Sequence, residues 1–251
     1  AAFVEPVEAP IFMLGLGGSV ATPPEGITAE TVCVKSFDEL EKLGAEKVRG
    51  RIVVYNQPWQ GYGRSVAYRS QGASRAARLG AVAALVRSVT PVSIRSPHTG
   101  MMTYAADAPR IPTACITVED ALRIQRLQDA GVRVRVRLHM EGKTLPDAPS
   151  ANVVAEIPGR DKPEEIVVMG GHSDSWDVGQ GAQDDASGCM ACWQAVQIVH
   201  ALGLNPRRTL RVCLWVNEEN GLRGGSAYRG WVGDRVSNRV AAIELDGGAE
   251  R

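Results

Sequence analysis

The sequence has no excess of charge of either sign. Its 251 residues include 28 Lys and Arg and 28 Asp and Glu, which gives a formal net charge of zero at pH 7. Proteins that bind nucleic acid through its phosphates normally carry a basic patch, so we expect no nucleic-acid partner. No apolar run approaches the roughly 20 residues that cross a bilayer, so we also expect no membrane span.

Cysteine is scarce, and its pattern decides little. The five cysteines are scattered and odd in number, so they do not indicate a redox compartment. Cys189 and Cys192 stand three residues apart inside an apolar helical pattern, where core packing is more common than a redox role. The segment GLGGS at 15–19 runs into prolines instead of a helix, which argues against a dinucleotide-binding loop.

The composition predicts a substantial core and two units. Hydrophobic residues make up 44% of the chain, enough for one large or two modest domains. We predict an N-terminal segment at 1–26 that crosses over between domains, a β-rich unit at 27–146, and a second unit at 147–251. A Pro-rich stretch around Asp147 marks the second boundary.

The β-rich unit alternates strands with capped helices and shows no cluster of metal ligands or nucleophiles. Ser36 with Glu39 forms a capping box, and Thr117 is predicted to cap a second helix with Asp120 three residues on. The segment at 132–140, VRVRVRLHM, alternates strictly. This pattern predicts a half-exposed strand at a sheet edge, with its arginines on the solvent face.

Residues of the kinds that bind metals follow three apolar strands in the second unit. Open α/β sheets place their sites at the carboxyl ends of strands, and residues two apart on an extended chain point the same way. We therefore expect these side chains to share one site. In chain order they are His172, Asp174, Asp184, Asp185, Glu218, Glu219 and Asp246.

The chemistry of this set is that of a divalent metal site. Imidazole nitrogen and carboxylate oxygen suit zinc and similar ions. Carboxylates gathered without a cation would repel one another and raise each other's pKa. Two metals bridged by one carboxylate can activate a water, and a neighbouring carboxylate that binds no metal can take its proton. Each short motif is weak alone, but the ordered set is specific.

Several stretches resemble the co-catalytic zinc aminopeptidase and carboxypeptidase family. They include GGHSDSWDVGQGAQDDASG, NEENGLRGG and IELDGG, with further likeness in YNQPWQGYGRS, TPPEGITAE, SPHTG and RIPTACITVEDA. The resemblance covers nearly the whole chain. It implies an α/β class protein with an incomplete zinc-exopeptidase α/β/α sheet. It also implies an inserted, β-rich protease-associated domain at 27–146 with a lid or substrate-shaping role.

The resemblance also implies a role for each residue of the set. His172 and Asp246 would hold one zinc, and Glu219 the other together with a later histidine, while Asp184 bridges the two ions. Glu218 would be the general base. Asp174, the second residue of the catalytic pair, would orient His172 or tune the site. Asp185 would support the ligands, although loop capping competes as an explanation of both Asp174 and Asp185, and the bond between Asp184 and Asp185 would be cis.

One protein ligand of the expected two-zinc site is missing from this sequence. None of the four histidines of this sequence stands where the family's last histidine ligand would be. We therefore expect the sequence to be a fragment or a truncated relative that binds about one zinc tightly. The start has no initiator Met and no signal-peptide pattern, so we expect a leader or a larger segment to have been removed.

The leading hypothesis is a zinc-dependent exopeptidase that hydrolyses dipeptides or short peptides with a metal-activated water. One alternative is an aminopeptidase of the same family, because both activities share the ligand set. The other is a non-catalytic binding or scaffold protein on a peptidase fold. The resemblance further implies a peptide substrate, a homodimer in the complete protein, and a secreted or lysosomal/periplasmic location.

Overall fold

The protein consists of two compact units, which a computed structural model describes for residues 1–247. The chain divides into Ala1–Pro146 and Asp147–Arg251. Within the described residues, no helix is both long enough and apolar enough to cross a membrane. That the first unit is a protease-associated domain stays a prediction.

The first unit is an eight-stranded sheet with helices on both faces. Strands β4 to β7 are parallel neighbours, and the full order is β2-β1-β8-β4-β5-β6-β7-β3. Helices α1 and α2 pack on one face of the sheet and α3 on the other. The elements are β1 (Ala2–Glu5), β2 (Ala9–Pro10), β3 (Met13–Gly15), β4 (Ile27–Val34), α1 (Phe37–Val48), β5 (Ile52–Tyr55), α2 (Tyr62–Arg78), β6 (Ala83–Arg87), β7 (Thr113–Ile116), α3 (Val118–Asp129) and β8 (Arg135–Leu138).

Both predicted helix caps are confirmed. The Ser36 hydroxyl accepts a hydrogen bond from the backbone N–H of Glu39 at 3.1 Å. The Thr117 hydroxyl accepts one from the backbone N–H of Asp120, also at 3.1 Å. Each bond satisfies a donor that the first turn of a helix otherwise leaves free.

The prediction that the arginine-rich strand β8 lies at a sheet edge was wrong. Strand β8 has β4 on one side and β1 on the other. Arg135 forms an ion pair with Glu5 at 3.1 Å, and Arg137 pairs with Glu8 at 3.4 Å. The strand that covers β8 is β1, from the opposite end of the unit's sequence, so no local pattern could predict it. Residues 1–26, which the sequence suggested as a separate crossover, thus contribute three strands to this sheet.

The second unit is a four-stranded sheet between two helices. Its order is β12-β10-β11-β9, with β10 parallel to β11 and β12, and β9 antiparallel to β11. Val168 and Cys213 pack with Tyr228 of α5 on one face, and Val212 packs with Val196 of α4 on the other. The elements are β9 (Val153–Ile157), β10 (Lys162–His172), α4 (Ser187–Ala201), β11 (Arg208–Trp215), α5 (Arg223–Val232) and β12 (Arg239–Glu244), with short helical turns at Ala182–Ala186 and Gly233–Asn238. The predicted α/β class is confirmed.

Helix α4 buries a different face from the predicted one. The apolar pattern of this helix predicts a packed face formed by Met190, Trp193, Val196, Ile198 and Val199. Of these five residues, Val196 is buried and Val199 half-buried, whereas the other three are exposed. Cys189 and Cys192 lie on the buried face instead, and both thiols are free. The helix is apolar on most sides, so periodicity alone cannot select the side that meets the sheet.

Candidate metal centre

The candidate site lies at the carboxyl ends of β10, β11 and β12. In the sheet, His172 at the end of β10 is level with Trp215 at the end of β11, and Gly170 is level with Glu244 at the end of β12. Parallel strands that end together deliver the residues that follow them to one edge of the sheet. This alignment places Glu218, Glu219 and Asp246 near His172, as the sequence pattern predicts.

His172 is 1% exposed, and its ring faces two carboxylates. Its Nε2 lies 2.9 Å from Oδ1 of Asp184 and 3.1 Å from Oδ1 of Asp246. Its Nδ1 lies 2.9 Å from the backbone oxygen of Asp174, which can only accept, so the Nδ1–H donates to it. In neutral imidazole this leaves a lone pair on Nε2, opposite two acceptor-only carboxylates.

When His172 is neutral, three lone-pair groups face one another, and a cation between them would stabilise the arrangement. The three ligand atoms of His172, Asp184 and Asp246 lie within 4.8 Å of one another. One nitrogen and two carboxylate oxygens form a donor set that suits zinc, and the hydrogen bond from Nδ1 to a backbone carbonyl is the usual way to orient such an imidazole. The residues present therefore fit a zinc ion.

The pKa shifts of the site also indicate that a cation would be stabilised there. Burial works against protonation of His172, but the hydrogen bond to Asp174 and the charges of Asp246 and Glu218 outweigh it and raise the pKa of His172 to about 9. Burial also raises the pKa of Glu218 and of Glu219. The neighbouring carboxylate of Asp246 raises the pKa of Glu218 further, and that of Asp184 does the same for Glu219.

Asp174 connects two loops of the site. Its carboxylate accepts hydrogen bonds from the backbone N–H of Glu218 at 2.9 Å and of Glu219 at 3.3 Å. The same carboxylate is 3.7 Å from Nδ1 of His172, which is too long for a hydrogen bond. Asp174 thus contacts the histidine through its backbone oxygen, and its side chain holds the segment that carries the two glutamates.

We expect Asp174→Asn to lower the free energy of unfolding of the second unit by about 1 kcal/mol. An amide offers one acceptor oxygen where the carboxylate offers two, so one of the two backbone N–H groups would lose its partner. Urea titration measures the effect. Asp177→Asn, an exposed change in the same loop, is the control. Equal stabilities of the two variants would contradict this role for Asp174.

Asp185 holds the backbone of the site and is not one of the three candidate zinc ligands. Its carboxylate accepts from the backbone N–H of His172 at 2.9 Å and of Gly188 at 3.2 Å, and the side chain is almost fully buried. The bond between Asp184 and Asp185 is cis, as the family resemblance implied. The hydrogen bonds separate the two aspartates: Asp184 faces His172 Nε2, and Asp185 contacts the backbone.

Gly188 is needed because the backbone of the site approaches it closely. A Cβ at this position would collide with the backbone oxygen of Leu245 and with the carboxylate of Asp185. We expect Gly188→Ala to lower the free energy of unfolding of the second unit by about 1–3 kcal/mol. Gly230→Ala on α5, where a Cβ meets nothing within 4 Å, should be neutral or stabilising. Urea titrations compare the two, and equal stabilities would contradict the expectation.

The sequence patterns did not single out Asn152. Its Oδ1 accepts from the backbone N–H of Val216 at 3.0 Å, and its Nδ2 donates to the backbone oxygen of Gly224 at 2.8 Å. It therefore holds both ends of the segment that carries Glu218 and Glu219. Its partners lie more than 60 residues away along the chain, so no local signal could have identified it.

Comparisons with known proteins identify the family of the second unit. Residues 152–251 match the model of Peptidase family M28. The second unit belongs to peptidase family M28. The solved M28 peptidase precursor of Shewanella amazonensis aligns with 99% of this chain and 57% of its own, with a TM-score of 0.93 and 34% identity. A zinc aminopeptidase from Bacillus subtilis aligns with 98% of this chain and 55% of its own, with a TM-score of 0.69 and 19% identity, which shows a shared fold.

Curated relatives extend the likeness to both units. Carboxypeptidase Q of Homo sapiens is 50% identical over 248 residues, which are 99% of this chain and 52% of that protein. The Pongo abelii protein of the same name is 51% identical, also over 99% of this chain and 52% of that protein. The chain spans about half the length of the curated relatives it matches. The predicted family resemblance is confirmed.

Proposed function

We propose that this chain carries the metal centre of a zinc-dependent exopeptidase that hydrolyses dipeptides or short peptides. The observation that supports it most is the convergence of His172 Nε2 with one oxygen each of Asp184 and Asp246. Membership of an M28 peptidase family for the second unit and relatives named carboxypeptidase Q support the same reaction class.

Zinc would be held by His172, Asp184 and Asp246, and Glu219 is proposed as a ligand of a second ion that Asp184 would share. Glu219 is not part of the three-residue group, but burial and then the charge of Asp184 raise its pKa, and a second cation would relieve this repulsion. Bound zinc lowers the pKa of a water molecule towards neutrality and withdraws electrons from a scissile carbonyl.

Glu218 is proposed as the general base. Its raised pKa brings the carboxylate closer to the working pH, where a base can both accept and release a proton. It would take a proton from the attacking water and pass it to the leaving amine. Asp174 fixes the backbone of Glu218, and this restricts where the base can reach.

Carboxypeptidase activity is proposed ahead of aminopeptidase activity because the relatives at about 50% identity carry the carboxypeptidase name. The metal ligands do not distinguish the two. A homodimeric assembly and a secreted or lysosomal location are proposed on the family resemblance alone.

A panel of dipeptides with free or blocked termini tests the proposal on a polypeptide that includes residues 1–251. We expect hydrolysis of dipeptides with a free C-terminus, loss of activity with a chelator, and recovery with added zinc. Faster hydrolysis of substrates whose C-terminus is blocked would indicate an aminopeptidase. Zinc binding without hydrolysis of any peptide would indicate a binding or scaffold protein.

A further inference from the structure

Arg69, on helix α2 of the first unit, carries a charge that no carboxylate neutralises within residues 1–247. Its Nη1 donates to the backbone oxygen of Thr99 at 3.0 Å and lies 3.1 Å from Nδ1 of His98. Its Nη2 donates to the hydroxyl of Tyr62 at 3.2 Å. All three acceptors are uncharged, and none of the ion pairs among the described residues includes Arg69.

The guanidinium of Arg69 is fixed in place. Gly100 lies directly against it, with φ of +144°, and a Cβ there would collide with the guanidinium. The Nε of Arg69 is buried and has no hydrogen-bond partner. A charge that is partly removed from water and has no counter-ion costs free energy, so an anion at this position would be stabilised.

Two further donors accompany Arg69. Because arginine only donates, His98 must accept at Nδ1, so its Nε2 carries the proton. Burial and then the charge of Arg69 lower the pKa of His98, so its ring is neutral at pH 7. The Tyr62 hydroxyl accepts from Arg69, which leaves its own O–H free. Neither this O–H nor the Nε2–H of His98 has an acceptor among residues 1–247.

We propose that Arg69, Tyr62 and His98 form a binding site for a carboxylate on the first unit. A single fixed positive charge with neutral donors beside it matches a monoanion that has two oxygens. Tyr62 is 51% exposed, so a ligand can reach the cluster from solvent. The carboxylate could be the C-terminus of a peptide or a small free acid. This site needs neither zinc nor the second unit, so it goes beyond the proposed function.

A purely structural explanation is that Arg69 only fastens the loop around His98 to helix α2. That role would make the loop sensitive to mutation of Arg69, but it would not make the protein bind carboxylates. A test must therefore measure ligand binding and must include a variant that leaves Arg69 and its loop contacts in place. Tyr62→Phe is such a variant, because it removes the hydroxyl but leaves the contacts of Arg69 with Thr99 and His98 in place.

The test is a nuclear magnetic resonance titration of the 251-residue chain with a chelator present, which follows the ring signals of His98. The probes are N-acetyl-alanyl-alanine, its C-terminal amide, and acetate. We expect saturable shifts with the free acid and none with the amide. Binding of acetate as tight as that of the peptide acid would show that the site takes the carboxylate itself. Weaker binding of acetate would show that it takes a peptide C-terminus.

Matched variants decide whether the cluster is the site. We expect Arg69→Gln to weaken binding of the free acid at least about tenfold, and Tyr62→Phe to weaken it roughly threefold to tenfold. Arg64→Gln removes the same charge from an exposed position on the same helix and should change affinity less than about twofold. Equal shifts with acid and amide, no saturable shift, or equal losses in the Arg64 and Arg69 variants would each overturn the proposal.

Discussion

Substitution of Glu218 by Gln is expected to lower kcat for dipeptide hydrolysis by about 100- to 10,000-fold, the contribution that a general base typically makes. The amide keeps the size of the side chain but cannot accept the proton of the attacking water. The backbone N–H of Glu218, which donates to Asp174, is unchanged, so the loop should stay in place. Because Glu218 lies outside the three-residue ligand group, bound zinc should be retained.

Steady-state kinetics and metal analysis of the same preparation check this expectation on a polypeptide that includes residues 1–251. Glu164→Gln makes the same chemical change at an exposed position on β10 and should leave kcat unchanged. If the Glu218 variant keeps near-normal turnover, Glu218 is not the base. If it loses zinc together with activity, Glu218 is a ligand instead.

Substitution of His172 by Gln is expected to abolish tight zinc binding, with a loss of affinity of at least about 100-fold. His172 is the one nitrogen ligand of the group and is held between both carboxylates. We expect the unmodified 251-residue chain to retain about one zinc after exhaustive dialysis, because one group of His, Asp and Asp is assembled among the described residues and three protein ligands suffice for a catalytic-type ion.

Metal analysis after dialysis measures the stoichiometry, and competition with a coloured chelator measures the affinity. His200→Gln, an exposed change near the end of α4, is the matched control and should retain the zinc. Two equivalents retained by the unmodified chain would mean that another residue completes a second site. Retention of one equivalent of zinc by the His172 variant would show that zinc binds elsewhere in the chain.

The meeting of these candidate residues at one sheet edge was predictable because the signals for it are local. His172 and Asp174 are two residues apart at the end of an apolar strand, and Glu218 and Glu219 follow another. Parallel strands end together, so strand ends that are distant in sequence become neighbours in space. The helix caps at Ser36 and Thr117 are equally local, since donor and acceptor are three residues apart.

The features that could not be predicted depend on contacts between residues that are distant in the sequence. Strand β8 resembles an edge strand by alternation, yet β1 covers it. Helix α4 is apolar on most sides, so only the sheet decides which side is buried. The carboxylate of Asp174 accepts from the backbone of Glu218, 44 residues away, whereas the family resemblance implied that Asp174 orients His172 or tunes the site. In each case the deciding contact is formed by tertiary packing.

X-ray absorption at the zinc edge of the zinc-loaded chain tests the metal centre most directly. We expect a first shell of nitrogen and oxygen only, at about 2.0–2.2 Å, with the outer-shell scattering of one imidazole, which His172→Gln should remove. A sulfur shell at about 2.3 Å would instead place the ion on cysteine thiolates, for which Cys189 and Cys192 are the nearest candidates. That result, or imidazole scattering that survives in the His172 variant, would contradict a zinc site formed by His172, Asp184 and Asp246.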